Sequence, residues 1–306
     1  MQKCSVLVLL SAYNGEKYIK EQIETIVNQE GVNVSVLVRD DGSKDNTLDI
    51  LKDIASKFEN VHYIAGTNLG FVGSFSELVH YALQKDAVDF YAFADQDDVW
   101  YADKLLSSSN LLAGLDVDLP NLACCNSDLI SADKQKIGIF KKVSTRFTRG
   151  NTLYYGSFQG CSMLFNHKAL EIYDKYRPTD IYHDRWMYLI CYYLGNVKVD
   201  FKPHFGYRIH GHNAIGAKVE NDNLIQDMAN FIARKNEQTS KEIKAFYSIF
   251  NDDISPKDKI LFDVYLSCKR SFVSKWKILF GKSFGPKEYS LREIIAHSIR
   301  VVTNKL

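Results

Sequence analysis

The 306-residue chain has almost no net charge: 38 Lys/Arg against 37 Asp/Glu leave +1 at neutral pH. That balance gives no global attraction to a polyanion, so nucleic acid is not indicated as a partner. The six cysteines (Cys4, Cys124, Cys125, Cys161, Cys191, Cys268) show no C-x-x-C spacing and mostly lie among apolar residues. Reduced, buried thiols are expected rather than a disulfide framework or a zinc site. No apolar run reaches the roughly 18–20 residues that a bilayer span needs. The N-terminus enters a strand pattern without the charged, apolar and cleavable regions of a signal peptide, so a cytoplasmic protein is expected, at most peripheral to a membrane. No internal repeat or low-complexity tract occurs.

What is present reads as an ordinary globular chain, 46% hydrophobic and 25% charged, long enough for one large α/β domain with an appendage. Cys4–Leu10 is a continuous apolar run, as in a strand buried on both faces of a parallel sheet. It ends in the turn cluster Ser11-Ala12-Tyr13-Asn14-Gly15. A helix pattern follows, with Tyr18, Ile19, Ile23, Ile26 and Val27 on one face. Val34–Val38 and Val61–Ile64 read as the second and third strands. The second is followed by a helix capped at Asp45 or Asn46, the third by Asn68, Gly70 and a helix carrying Phe75, Leu78 and Val79. Strand, polar turn and helix, repeated three times, predict a doubly wound sheet whose ligand lies beyond the carboxyl ends of the strands.

The fourth strand, Phe90–Ala94, breaks abruptly into Asp95-Gln96-Asp97-Asp98 before Val99-Trp100. Hard oxygen ligands at this density suit Mg²⁺ or Mn²⁺, and through it a substrate bearing phosphates. The competing reading is a solvated acidic turn in which Asp98 caps a helix over Val99–Leu106. Polar residues after all four strands nevertheless converge on one sheet edge, which four unrelated turns would not require. Further strands are expected at Leu122–Cys125 and Val197–Phe201, and Gln159–Phe165 reads as a small-residue entry to another apolar strand. A helix opens at Tyr182-His183-Asp184-Arg185-Trp186, and Tyr207–Asn213 reads as a polar turn. From about residue 220 helical patterns dominate. A domain of residues 1–220 and a helical, basic extension of residues 221–306 are expected.

The turns Ser11–Asn14, Asp40-Asp41-Gly42-Ser43 with Asp45 and Thr47, Asn68 with Gly70, and Asp95–Asp98 together resemble the family-2 inverting glycosyltransferases of GT-A fold, over roughly residues 4–215. Asp95–Trp100, His183–Trp186 and Tyr207–Asn213 are further similar to bacterial rhamnosyltransferases of surface-polysaccharide synthesis. Arg185 stands where those enzymes commonly carry an aromatic residue.

The resemblance implies a Rossmann-like, mostly parallel sheet flanked by helices, a nucleotide-sugar donor and a divalent Mg²⁺ or Mn²⁺. By it, Asp97 is the metal ligand, with a histidine, His210, completing the shell. Asp95 and Gln96 lie by the donor, and Asp98 supports the turn. Asp40 or Asp41 accepts from N3–H of uracil or thymine, the family analogy favouring Asp40 and an Asx-turn being the alternative for Asp41. Ser11, Tyr13, Asn14, Asn68 and Gly70 complete the nucleotide site. Asp184 is the candidate general base of an inverting displacement, its alternative a helix cap. Arg208, His212 and Asn213 belong to a loop closing over the diphosphate. Gln159, Gly160, His183 and Trp186 shape the acceptor side, with core packing the alternative for Trp186.

The resemblance further implies transfer of a sugar, L-rhamnose from dTDP-L-rhamnose ahead of a UDP-hexose, onto a lipid-linked or growing cell-surface saccharide. A non-catalytic sugar- or nucleotide-binding module is the rival from another class. A nucleotidyltransferase would want a Gly-rich phosphate loop and a basic residue, which Ser11–Glu16 lacks. From Cys268 to Leu306, nine Lys/Arg stand against two Glu, a local +7 that leaves −6 for the rest. Aromatics interleave with lysines over Phe272–Phe284, and Leu291–Val302 is patterned as an amphipathic helix. An in-plane contact with anionic lipid, a packed helical cap and a homo-oligomer interface are all compatible with that text.

Overall fold

A computed structural model describes residues 3–140, 148–154, 158–177, 179–210, 237–284, 298–299 and 301–303. The chain divides into two compact units, Met1–Val143 with Phe158–Gly216, and Ser144–Ser157 with Ala217–Leu306. No helix among the described residues is long and apolar enough to cross a membrane.

The first unit runs β1 (Ser5–Ala12), α1 (Ile19–Val27), β2 (Asn33–Asp40), α2 (Thr47–Lys57), β3 (Val61–Ala65), α3 (Gly70–Leu83), β4 (Phe90–Ala94), β5 (Val99–Trp100) and α4 (Lys104–Leu112). It continues with β6 (Asn121–Ile130), β7 (Lys136–Ile139), β8 (Met163–Asn166), α5 (His167–Lys175), α6 (His183–Leu194) and β9 (Asn196–Arg208). The strands form one sheet in the order β3-β2-β1-β4-β8-β6-β9-β5, with β7 added to β6. The pairs among β3, β2, β1 and β4 are parallel, β8 is antiparallel to both its neighbours, and β9 returns parallel to β6.

Alternation along β1 shows why its run is unbroken. Val6, Val8, Leu10 and Ala12 join the core with Ile19, Ile23 and Ile26 of α1 and Leu51 and Ile54 of α2. Leu7 and Leu9 are also buried, on the opposite face by the strand's two-residue period, where α3 packs against α5 and α6. Each such side chain, fully buried, contributes about 1.5–3 kcal/mol. A strand covered on both faces has no polar side to show.

One alternative reading and one expectation of the sequence change in the folded chain. No helix follows Asp98: Val99 and Trp100 pair antiparallel with Gly206 and Phe205, and α4 starts only at Lys104. The reason is long-range, because β9 runs on beyond Phe201 beside β6 and brings Phe205 and Gly206 alongside the turn. For the same reason Tyr207 and Arg208 end a strand, paired with Leu129 and Ile130, rather than belonging to a polar turn.

In the second unit, α7 (Glu237–Phe250), α8 (Pro256–Ser267) and α9 (Phe272–Phe280) bury Ile243, Phe246, Phe250, Phe262 and Ile278. Ser255 caps α8 by accepting from Asp258 N–H at 3.2 Å. Arg149 grips the Asp258 carboxylate with two bonds of 2.7 Å. The expected amphipathic pattern at Leu291–Val302 lies mostly outside the described residues.

The start of α4 has no side-chain cap of its own. Gln29, buried after α1, supplies one from a distance: its Oε1 accepts from Leu105 N–H at 3.0 Å and its Nε2 donates to Tyr101 O at 2.7 Å. Gln29→Leu keeps the volume, orphans Leu105 N–H and leaves Tyr101 O with only its 3.1 Å bond from Lys104 N–H. We expect a loss of about 1–3 kcal/mol in urea unfolding, whereas a change within about 0.5 kcal/mol would show that α4 does not depend on this bridge.

Candidate active site

The turns after β1 and β2 are bound into one piece. Asn14, in the left-handed region at φ 51°, donates its N–H to Ser43 Oγ (2.9 Å) and accepts from Lys44 N–H on its side chain (2.8 Å). Gly15 N–H donates to Thr47 Oγ1 at 2.7 Å and Glu16 N–H to Asp45 at 3.1 Å. Gln96, from the acidic turn, closes a reciprocal pair with the Tyr13 backbone, accepting from its N–H at 2.8 Å and donating to its carbonyl at 3.0 Å. The Tyr13 ring is left exposed at the edge. Ser11 hydroxyl donates to Ser74 Oγ on α3 at 2.7 Å.

The two acids after β2 diverge. Asp41 pairs with Arg39 and accepts from Leu69 N–H at 2.8 Å, and Arg39 donates to Thr67 O at 2.9 Å. Asp41 therefore fastens the β3–α3 loop. Asp40 is equally buried, but only its Oδ2 is used, by Ser43 N–H at 3.2 Å; its Oδ1 has no partner. Gly42 between Asp41 and Ser43 has φ 76°, and a Cβ there would meet Asn68 N at 3.1 Å, so the turn needs glycine twice over. Asn68 accepts from Gly70 N–H (3.2 Å) at the start of α3.

Beyond β4 the acids crowd. Burial, with the Asp97 charge and then Asp184, pushes the Asp95 carboxyl up to about 7. Asp98 is driven well above the carboxylate range by burial and by Asp97 and Asp95, and accepts from Arg208 N–H at 3.3 Å. Cys161 adjoins both: among the described residues, Asp95, Asp98 and Cys161 are a group whose ligand atoms lie within 4.8 Å of one another. Burial and those two acids hold the thiol well above its ordinary pKa, so it is protonated and a poor nucleophile. Asp97 turns the other way, its Oδ2 2.8 Å from His210 Nε2, and the imidazole stacks on Tyr18 with ring centres 5.2 Å apart.

Arg208 underlies this turn. It is 1% exposed, donates to Asp97 O (2.7 Å), Ala132 O (2.6 Å) and Glu21 Oε2 (2.6 Å), and lies 4.5 Å over the Tyr18 ring. A guanidinium so engaged braces the acidic turn from behind. Lys104, fully buried, sets its Nζ 3.6 Å over the Trp100 ring with no hydrogen-bond partner. Burial lowers its pKa, while Cys125, Cys161 and Asp98 hold it up. It is a second basic residue beneath the acids.

Asp184 opens α6, where N–H groups face outward and a carboxylate is stabilised. Arg185 N–H donates to its Oδ1 at 2.6 Å. Burial still prevails over that bond and the Arg185 charge, lifting the Asp184 pKa to about 6. His183 beside it is buried, stacked 3.7 Å from Phe75 and edge-on to Phe93, with neither ring nitrogen partnered. Burial lowers its pKa to about 3, so the imidazole is neutral. A Cβ on Gly160 would collide with this ring. Gln159 Oε1 accepts from Ser127 hydroxyl at 3.1 Å.

The fold thus gathers Ser11, Tyr13, Asn14, Asp40 and Gln96 on one side of the edge, and Asp95, Asp97, Asp184 and His210 on the other. Trp186 is completely buried and presents no ring face to a ligand, and Arg208 points into the body. His212 and Asn213 lie outside the described residues. Lys104, Glu21, Tyr18 and Cys161 were not among the expected site residues. The one readable signal was for Lys104, a lysine on the apolar side of a helix pattern.

The family model for glycosyl transferase family 2 matches residues 7–176. The dTDP-rhamnosyl transferase RfbG of Shigella flexneri is 28% identical over 223 residues, covering 69% of this chain and 74% of that protein. Among solved structures, S. aureus TarS 1-349 in complex with UDP superposes with a TM-score of 0.57 at 18% identity, covering 97% of this chain and 81% of that one. Mannosyltransferase PcManGT from Pyrobaculum calidifontis, in complex with GDP-Man and Mn²⁺, gives 0.56 at 15% identity over 100% and 89%. Both similarities speak to the fold, which is GT-A.

Asp184 binds its proton more tightly in the folded chain (about 6) than an ordinary carboxyl does (3.8). Stability is therefore lost as pH rises between those values, and the loss is complete above about 6. Asp184→Asn removes this penalty. We expect it to melt higher than the parent at pH 7.5, with the difference gone below about pH 4; equal melting points at both would show that the carboxyl is not desolvated.

Proposed function

Because the chain belongs to glycosyl transferase family 2, we propose that it is an inverting, metal-dependent transferase that moves L-rhamnose from dTDP-L-rhamnose to a hydroxyl of a lipid-linked or growing cell-surface saccharide. The observation that carries the mechanism is Asp184: a carboxyl with a pKa of about 6 at a helix N-terminus, close enough to the acidic turn for its charge to raise Asp95. A base poised there is ionised at neutral pH, yet basic enough to take a proton as the bond forms. The acceptor oxygen forms its bond to the anomeric carbon while the bond to the diphosphate breaks. The diphosphate leaves with the electron pair, and the hydroxyl proton passes to Asp184.

The donor reading rests on Asp40. Its buried Oδ1 lacks a partner, and an orphaned acceptor at that depth costs about 1–3 kcal/mol. The N3–H of a thymine or uracil is a donor of the right kind, with the exposed Tyr13 ring offering a face for the base. Similarity to a dTDP-rhamnosyl transferase supports thymine, and a UDP-hexose is the alternative. Asn14, Asn68, Gly70 and Gln96 shape the nucleotide site through the turns they brace. His183, Gly160 and Gln159 form the acceptor side.

The residues present fit a divalent cation. Asp97 and His210 converge within 2.8 Å, and a carboxylate with an imidazole is a donor set that Mn²⁺ or Mg²⁺ accepts. Bound there, the ion supplies Lewis-acid stabilisation of the diphosphate. Arg208 fixes the direction of the turn by gripping the Asp97 carbonyl. Such a protein works at the cytoplasmic face of the plasma membrane, where lipid-linked acceptors are presented.

Melting the protein with dTDP, UDP, GDP or CDP, each with Mn²⁺ or EDTA, tests the donor site, since binding to the folded state raises the melting point. We expect a metal-dependent rise with dTDP exceeding that with UDP, lost in Asp97→Ala and retained in Asp184→Asn. Asp40→Ala should weaken dTDP binding about tenfold or more. No rise with any nucleotide would defeat the reading and leave a non-nucleotide binding module. With acceptor, kcat/KM should fall as pH drops through about 6, and Asp184→Asn should lose about 10²–10⁴-fold in rate. A pH-independent rate between 5 and 8 would remove Asp184 from the base role.

A further inference from the structure

The second unit carries a surface that the transfer reaction does not use. On α9, Ser274 and Ile278 face inward and are buried, whereas Phe272, Val273, Trp276 and Phe280 are 79%, 62%, 57% and 65% exposed. Their spacing of three and four residues sets them in one stripe along about 12 Å of helix. The Trp276 and Phe280 rings touch at 4.4 Å between centres, and Val302, 62% exposed, adjoins through the 3.4 Å bond from Lys275 Nζ to its carbonyl. So many large apolar side chains together on an outer face are uncommon for a surface with no partner.

The stripe is flanked by Lys269, Arg270, Lys275, Lys277 and Lys282, and no acid occurs between residues 268 and 284. The helix cannot simply roll its aromatics inward. Ser271 caps its start, and just past its end Ser283 O accepts from Gly150 N–H (2.9 Å) and Thr148 hydroxyl (2.6 Å), while Phe284 O accepts from the Tyr154 hydroxyl.

We propose that this face of α9 docks on an anionic lipid surface, with Phe272, Trp276 and Phe280 entering the headgroup region and the lysines pairing with lipid phosphates. Aromatics at the interface depth and lysines beside them are the pattern of an in-plane membrane helix. Charge decides against a second copy as occupant: face-to-face pairing would bring two sets of basic groups together with no acid between them. The surface does not depend on which sugar the first unit transfers, and a vesicle without acceptor suffices to examine it.

The chain has three tryptophans, and Trp100 and Trp186 are 3% and 0% exposed, so Trp276 is the fluorescent reporter of this face. The full chain should co-sediment with vesicles of phosphatidylcholine and phosphatidylglycerol at low salt, and not with phosphatidylcholine alone. Its emission should move to the blue and be quenched by brominated acyl chains. Trp276→Leu should abolish that change while binding persists. A Phe272→Ser, Trp276→Ser, Phe280→Ser variant should melt like the parent yet bind at least tenfold more weakly, and Lys275→Gln with Lys277→Gln should lower binding about tenfold. Should the triple variant fail to fold, quenching in the parent decides. No binding to anionic vesicles, binding without quenching, or a lipid-free dimer abolished by the triple variant would overturn the proposal. Loss of nucleotide binding with vesicle binding intact would count against the transferase reading alone.

Discussion

Like charge crowded at low dielectric is the constraint around which the first unit is arranged. Asp95, Asp97, Asp98 and Asp184 meet at one end of the sheet; the charges of Asp97 and Asp184 add to burial in raising Asp95, and those of Asp97 and Asp95 in raising Asp98. Two buried basic residues lie beneath the acids. The Arg208 side chain grips the Asp97 carbonyl, and its N–H meets the Asp98 carboxylate. Lys104 rests on Trp100 behind them. A protein built for stability alone would have no use for this cluster, since charges taken out of water are repaid only by good partners. Such a cluster is what the proposed cation and diphosphate site would require.

The remaining turns serve to hold that edge still. Asn14, Ser43, Thr47 and Asp45 tie the first two turns together, Asp41 ties in the third, and Gln96 ties the acidic turn to Tyr13. Each bond contributes only about 0.5–1.5 kcal/mol. Their joint effect is positional, because a group displaced by an ångström loses much of its catalytic effect. Against this background two unsatisfied sites stand out: Asp40 Oδ1 and the His183 ring nitrogens, both on the edge where donor and acceptor are proposed to meet.

The second unit follows a different logic. Its core is aromatic and well partnered, with Phe246 and Phe262 stacked 5.8 Å apart and Arg149 locked on Asp258. Its outward helix spends none of its aromatics on that core. The local run of basic charge, invisible in the whole-chain total, becomes meaningful only once the same segment is seen to expose Phe272, Trp276 and Phe280.

How much was legible follows from these contrasts. The first four strands could be read almost to the residue, Phe90–Ala94 among them, because burial on both faces writes a continuous apolar run. The turns could be read because catalytic edges collect Asp, Asn and Gly. The GT-A class followed from their order. What no local pattern contains is which distant strand arrives beside a turn. Only the pairing of β9 with β6 and β5 decided against a helix directly after Asp98 and made an apparent loop arginine a buried brace. Likewise, only packing put Trp186 in the interior and His183 between two phenylalanines. The sequence by itself determined the first four strands, their polar ends and the family. Tertiary structure decided which of those polar residues remain free to bind, because a side chain's partners depend on the elements brought against it from far along the chain.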